Sequence, residues 1–374
     1  MIGEKIISWY IRNIIAPKIW VLDNPGFVIT KFGKQSQEVF RREVFLPEEL
    51  FVDFEKSIVN KYKEEGEQVL YSIGKNFGFV FSSSSNFPNI KNVTKKDVTK
   101  FAELFAMFLS TTWAEEVKSK VEWDKNLLHL YMKNFVSCSK NGIGLILAEG
   151  SGAGIWSYEL SNSSIEAKQV KCQGRGDKNC EVICAPSKIL SKMKINFFKD
   201  SKIFKLFEDK NTYESINKIR VTKYAKSSIK SLIDSGFLSW ERRIIRFKNQ
   251  RFFPADVSLM YILESELKKL KGGDNILFNA AFEYGKKLSQ QENIEKFVTD
   301  FMSALGWGDI LVLKEGEKYK IVVNYFPWTG LAEKIGFALF RGMISGMLSV
   351  ERKVILRKIK KDTSQGYFSL WLSE

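Results

Sequence analysis

Cys172, Cys180 and Cys184 fall in one short stretch that also holds Gly174 and Gly176 and ends at Pro186, so most of the chain's thiol chemistry is gathered in one place. Two thiolates eight residues apart, with glycines free to take positive φ between them, can curl back toward a shared zinc ion, which favours a tetrahedral shell of sulfur and nitrogen. Zinc modules usually carry tight Cys-x-x-Cys pairs, whereas the closest pair here is Cys180 and Cys184. The spacing leaves two readings open, a metal-bound hairpin and a buried hairpin that carries small apolar thiols.

Other reactive groups are scarce. His129 is the single histidine and sits in the alternating run Leu127 to Tyr131, which reads as a strand. Serine triads and zinc-protease sites need a well-placed imidazole, so most acid-base and histidine-ligated chemistry is set aside. No Gly-x-Gly-x-x-Gly loop follows a strand, because Gly150, Gly152 and Gly154 lack both the preceding strand and the downstream acid. A Gly-x-x-x-x-Gly-Lys-Ser/Thr phosphate loop is also missing. The residues therefore point to a binding protein and away from an enzyme.

At 374 residues the chain has room for two domains, each with its own core. Hydrophobic residues at 44% and charged residues at 27% describe a globular composition. With 30 Phe, 9 Trp and 12 Tyr there is aromatic surface for dense packing or for a pocket that takes an apolar ring. Four cysteines without a framework spacing, and no secretory leader, point to a reducing, cytoplasmic setting. Met1 to Trp20 places Ile2, Ile6, Trp9, Tyr10 and Ile14 on one side but includes Glu4, Lys5, Arg12 and Lys18. It reads as an amphipathic helix that covers a sheet, a partner or a membrane surface, and no transmembrane segment is expected. The net charge of +15 is concentrated between Lys188 and Lys230, where twelve basic residues face four acidic ones and Phe197, Phe198, Phe204, Phe207 and Tyr224 are interleaved. This basic connector, residues 188–230, suits either a solvated lysine-rich face or contact with nucleic acid, a ribosome or another anionic surface.

The chain also contains itself twice. At an offset of 207 residues, Phe45 to Pro47 matches Phe252 to Pro254, Gly66 matches Gly273, Leu70 matches Leu277, and Gly78 matches Gly285. Further on, Phe101, Phe105 and Leu109 correspond to Phe297, Phe301 and Leu305, and Gly154 with Leu160 and Ser161 corresponds to Gly342 with Leu348 and Ser349. Each repeat has strand-like hairpins, then a proline opening a helix, two more helices, strands, a glycine-marked helix and a closing hairpin. The expected fold is α+β, two tandem copies of an antiparallel sheet packed against helices. The parts are an N-terminal helix over 1–20, a first domain over 21–187, the connector over 188–230 and a second domain over 231–374 that has no cysteines. Equivalent faces in the two copies predict an intramolecular pseudo-dimer, and they are equally open to a homodimer.

That order of elements, ending in Cys172 and Cys180 after a glycine-marked helix, resembles the 4-vinyl reductase domain family. Its members occur in archaeal proteins, in a bacteriochlorophyll-pathway protein and as sensor modules of aromatic-responsive transcription activators, and they are similar in fold to vesicle-tethering subunits. The resemblance covers roughly residues 29–186, with the second repeat a divergent copy. It implies a ligand pocket between helices and sheet, for which Phe105, Trp113, Trp123, Phe135 and Trp156 are the lining residues by position. It also implies zinc held by Cys172, Cys180, an acid three residues before Cys172 and a cysteine further upstream. The acid position is Gln169 and the upstream cysteine position falls near Leu145 to Leu147, which leaves Cys138, Cys184 or Glu166 to fill the gap. The implied function is a cytoplasmic, sensor-like protein for an apolar or aromatic ligand with a structural zinc. The alternative is a docking protein whose connector meets an anionic partner. The family name keeps open an enzyme acting on a tetrapyrrole, for which the chain supplies no hydride donor.

Overall fold

A computed structural model of the chain describes residues 20–32, 39–85, 87, 89, 94–110, 113–200, 222–241, 244–289, 292–327, 335–362, 364 and 368–374. Residues 1–19 of the amphipathic helix expected over 1–20 and the centre of the basic connector, 201–221, lie outside the described residues, while Trp20 itself is in a strand and not a helix. Among the described residues no helix is long and apolar enough to cross a membrane.

The first repeat runs β1 (Trp20–Val21), β2 (Val28–Phe32), β3 (Val39–Pro47), α1 (Glu48–Tyr62), α2 (Glu64–Ser84), α3 (Lys95–Leu109), β4 (Glu116–Glu122), β5 (Leu127–Lys133), α4 (Cys138–Asn141), α5 (Ile146–Glu159), β6 (Ile165–Lys171) and β7 (Cys180–Pro186). Short helices α6 (Ser187–Lys192) and α7 (Ile229–Asp234) flank the connector. The second repeat follows as β8 (Ser239–Glu241), β9 (Ile244–Phe247), β10 (Gln250–Asp256), α8 (Val257–Leu267), α9 (Gly273–Lys287), α10 (Ile294–Met302), β11 (Asp309–Glu315), β12 (Lys318–Asn324), α11 (Ala338–Met347), β13 (Lys358–Asp362) and β14 (Ser369–Ser373). The order of elements repeats, and so does the topology, since the four-stranded sheets β4-β5-β7-β6 and β11-β12-β14-β13 have the same strand order. All the strand pairs are antiparallel. This is the α+β arrangement expected from the sequence.

The compact bodies do not follow the repeat boundary. Of the described residues, those from 55 to 200 form one unit and those of 20–54 and 222–374 the other, so β1 to β3 of the first repeat fold with the second. Within that second unit they complete a six-stranded sheet of order β1-β2-β3-β10-β9-β8. Its centre is the pairing of β3 with β10, in which Leu46 faces Phe253. These two residues are equivalent under the 207-residue offset, so an approximate two-fold axis passes between them. At this seam the two repeats contribute equivalent strands to one shared sheet. Buried Phe45, Leu46, Phe252 and Phe253 line the seam, and the Phe51 ring meets Phe253 edge-on at 5.5 Å.

In the first unit, α5 packs along α2 and against the β4-β5-β7-β6 sheet, with α3 beside β4. The α2 and α5 backbones touch. A Cβ added to Gly74 would lie 1.9 Å from the Leu147 carbonyl oxygen, one on Gly78 2.1 Å from that of Ser151, one on Gly150 2.1 Å from that of Tyr71, and one on Gly154 2.0 Å from that of Lys75. Glycines every fourth residue on both helices let two parallel helices approach closely enough for Cα–H to carbonyl contacts. The second repeat uses the same device, with Gly285, Gly342 and Gly346 against Met343, Phe278 and Phe282.

The described flanks of the basic connector are packed. Leu190 is buried with Leu127, Ile183 and Ala185, and Ile189, Ile195 and Phe197 cover them. Phe198 lies against Tyr71, and the Asp200 amide donates to Glu166. On the far side, in the second unit, the amides of Lys223, Tyr224 and Ala225 all donate to the Asp309 carboxylate.

Candidate functional site

Two neighbourhoods of the first unit hold the chemistry. The first is a sulfur cluster at the turn between β6 and β7. The Cys138 sulfur is 3.0 Å from that of Cys180 and 3.4 Å from that of Cys172, and all three residues are buried. Gly174 makes the encounter feasible, because a Cβ there would sit 2.1 Å from the Cys138 carbonyl oxygen. Its role is close approach, whereas Gly176, at φ 101°, is the one that needs the left-handed region. Asp177 anchors the turn by accepting from the Cys172 amide at 2.7 Å. Cys138 reaches the cluster from α4, outside the position near Leu145 to Leu147 that the resemblance marks.

Gln169 completes the surroundings but shows the sulfurs a donor. Its Nε2 points at the Cys138 sulfur at 3.4 Å, while its Oε1 accepts from the Leu145 amide at 2.8 Å. The thiols share protons unevenly. Hydrogen bonding to Cys180 and then burial raise the Cys138 thiol, and the same bond favours the Cys180 thiolate and lowers its pKa. Cys172 is raised, chiefly by burial. Among the described residues no three His, Cys, Asp or Glu side chains stand in a finished metal-holding arrangement. The sulfurs are drawn to hydrogen-bonding separations, shorter than the ~3.8 Å that two thiolates keep when each sits ~2.3 Å from one tetrahedral zinc.

Cys184 and Glu166 stand apart from this cluster. Cys184 is four residues along β7 from Cys180, about 13 Å at strand spacing. Its sulfur lies 3.6 Å from where a Gly152 Cβ would be, and burial pushes its thiol up to about 12. Glu166 is bound to the Lys75 ammonium at 2.8 Å and the Tyr71 hydroxyl at 2.7 Å, a buried polar network that ties α2 to β6.

The second neighbourhood is aromatic. Trp156 on α5 meets Phe101 edge-on at 5.2 Å, and Phe101 stacks on Phe105 at 6.2 Å. Phe87 joins Phe101 to Phe81, which also contacts Phe77 and Phe108. Of the five residues expected to line one pocket, Phe105 and Trp156 are brought together here through Phe101. Trp113 and Phe135 form a separate pair 6.5 Å apart where β4 begins and β5 ends. Trp123, half-buried in the turn after β4, is at the opposite end of that hairpin, about 23 Å away at strand spacing. His129, as its strand position suggested, sits in β5, where its Nδ1 lies 3.0 Å from a Glu181 carboxylate oxygen.

A carboxylate that belongs to no motif in the sequence, Glu159, lies one turn beyond Trp156 on α5. Glu159 has no exposed surface, and neither of its oxygens has a hydrogen-bond partner. The signal was present: α5 carries two acids, Glu149 and Glu159, and no basic residue. Glu149 is accounted for, accepting from the Gln169 amide at 3.0 Å and pairing with Lys168. Burial alone pushes the Glu159 carboxyl from 4.5 up to about 8. The folded state therefore binds this proton more tightly than the unfolded chain, and stability falls as pH rises from 4.5 toward 8. Glu159→Gln removes that loss. Its stability relative to the parent protein is expected to rise by about 2 kcal/mol between pH 5 and pH 8 in denaturant titrations. An equal difference at both pH values would show that the carboxyl ionises freely.

No known protein family matches the chain, and no curated protein does. Among solved structures, it is similar to the crystal structure of the phenol-responsive sensory domain of the transcription activator PoxR with phenol, at 10% identity and a TM-score of 0.30. The similarity covers 44% of this chain and 90% of that one.

Proposed function

We propose that the first unit is a small-molecule-binding domain for an apolar or aromatic ligand, held together at its far end by a zinc that ties α4 to the β6–β7 turn. The observation that supports the binding reading most strongly is the Trp156 indole N–H, fully buried beside the Phe101 ring with no acceptor. Buried polar groups are ordinarily paired, and an unpaired one in an aromatic setting suits a ligand that supplies the missing partner. Native mass spectrometry of protein purified under mild conditions is expected to show a retained small molecule displaced on denaturation. Spectra that stay at the bare chain mass, together with no calorimetric response to small aromatic compounds, would remove the reading.

Three thiols on two segments suit zinc in donor type and number, and Cys138, Cys172 and Cys180 are the residues that would hold it. The ion would act as a structural cross-link, with Gln169 oriented by Leu145 beside it. Zinc content measured on purified protein should fall in Cys138→Ser, Cys172→Ser and Cys180→Ser and stay unchanged in Cys184→Ser. Equal content in all four variants would show three thiols that merely pack.

A further inference from the structure

We propose that the end of the α2–α5 helix pair is a binding site for a protonated amine on an apolar or aromatic body, with Glu159 as its counter-ion. The proposal rests on the reading of the first unit as a small-molecule-binding domain and adds the chemical class of the ligand.

Glu159 lies one turn beyond Trp156 on α5, so the two side chains share a face. The helix register brings α2 to the same place. A Cβ on Gly78 would meet the Ser151 oxygen and the Ile155 nitrogen, so Ser82, one turn later, stands opposite Ile155 to Glu159. Phe79 and Tyr158, in edge contact at 5.5 Å, confirm that register. Four residues at this end of the pair have buried polar atoms with no partner, namely Ser82 Oγ, Ser85 Oγ, Trp156 Nε1 and both oxygens of Glu159. The Asn89 side chain fixes the adjoining chain by donating to the Tyr158 carbonyl oxygen at 2.9 Å and accepting from Ser161.

The fold itself does not ask for these groups. In the sister repeat Gly346 meets Phe282 and Lys286 as Gly154 meets Lys75 and Phe79, so Trp156 corresponds to the buried Leu348 and Glu159 to the exposed Glu351 just past the end of α11. An indole N–H and a carboxyl enclosed without partners in one copy, where the other has an aliphatic side chain and a solvated glutamate, are better explained by a ligand than by packing.

The chemistry selects the ligand. An anion would meet a buried carboxylate with no cation beside it, and a lone carboxylate among rings offers too few oxygens for a metal. A neutral hydroxyl gives the buried carboxyl, protonated on its own up to about pH 8, no charge to ionise against, whereas a cation does. An ammonium supplies the opposite charge and up to three N–H donors, and the faces of Phe81, Phe87, Phe101 and Trp156 attract a cation as well.

The test uses the full chain and three probes of similar shape in titration calorimetry: 2-phenylethylamine, 2-phenylethanol and 3-phenylpropionate. The amine is expected to bind at least about tenfold more tightly than the alcohol, with the carboxylate weakest. Glu159→Gln and Glu159→Met are expected to unfold at or above the parent temperature. Both should lose the preference for the amine by about tenfold while binding the alcohol as before. Equal affinities for amine and alcohol, unchanged by either variant, would overturn the amine site and leave an apolar ligand pocket standing. No binding of any probe would overturn both.

Discussion

Gly154→Ala is expected to lower folding stability by about 3 kcal/mol or more, while Gly152→Ala, two residues away on the same helix, is expected to be neutral or to stabilise by up to about 1 kcal/mol. The two glycines face different neighbours. A methyl group on Gly154 would lie 2.0 Å from the Lys75 carbonyl oxygen and 2.7 Å from the Phe79 nitrogen, both backbone atoms that no rotamer change can move. The helices would have to part by more than an ångström along a contact that also buries Tyr71, Ile73, Phe77 and Trp156. A methyl on Gly152 would meet only the Cys184 sulfur at 3.6 Å, an ordinary contact, so the better helix propensity of alanine is gained without a clash. Denaturant midpoints of the two variants, measured with the parent protein, check the contrast. Similar midpoints for both would mean that α2 and α5 are not held at backbone contact. Gly154→Ala should also weaken any ligand held beside Glu159, since the register that sets Ser82 opposite Glu159 depends on the same approach.

The repeat was legible because its glycines are contact points. Gly78 and Gly285 kept their letter where chemistry forbids any other side chain, whereas the match of Gly154 to Gly342 is one turn out of register, since the contacts of Gly154 are repeated by Gly346 and those of Gly150 by Gly342. Element types followed from hydrophobic periodicity, although β4 was missed because Glu116 to Glu122 alternates charges with only Val117 buried. What could not be read was which segments fold together. Strands β1 to β3 precede their own helices in sequence yet pair across the two-fold seam, and a sequence pattern carries no record of partner choice. The site was legible in part for the same reason. Cys172 and Cys180 are close in sequence, whereas Cys138 reaches them from 34 residues upstream through a turn with no motif of its own. Glu159 was passed over because a terminal helix glutamate ordinarily faces water, and its burial is set by tertiary packing that its own stretch of sequence does not record.

The seam of the six-stranded sheet should depend on one ion pair, and Asp256→Ala is expected to cost about 3–5 kcal/mol. Arg41 on β3 makes a two-pronged bond to Asp256, with Nε and Nη2 each 2.7 Å from a carboxylate oxygen, and both side chains are almost fully buried. Asp256 also caps α8 by accepting from the Ser258 amide at 2.8 Å, a contribution of about 1 kcal/mol. Removing the carboxylate leaves a guanidinium in the sheet that cannot shed its proton. Arg41→Leu combined with Asp256→Ala deletes both charges, so the double variant should be more stable than Asp256→Ala alone by about 2 kcal/mol. Glu43, on the same strand, allows a further check. Burial pushes its carboxyl up to about 8, so near pH 6 it is protonated and offers Arg41 no charge. Above pH 8 it ionises beside the Arg41 guanidinium, and Asp256→Ala should recover part of its lost stability relative to the parent protein, where Asp256 opposes that ionisation. Denaturant titrations of the single and double variants at pH 6 and pH 9 measure both effects. Additive costs at pH 6, with no gain at pH 9, would mean that the two repeats are joined at this seam by packing alone and that the ion pair serves only to set the register of β3 on β10.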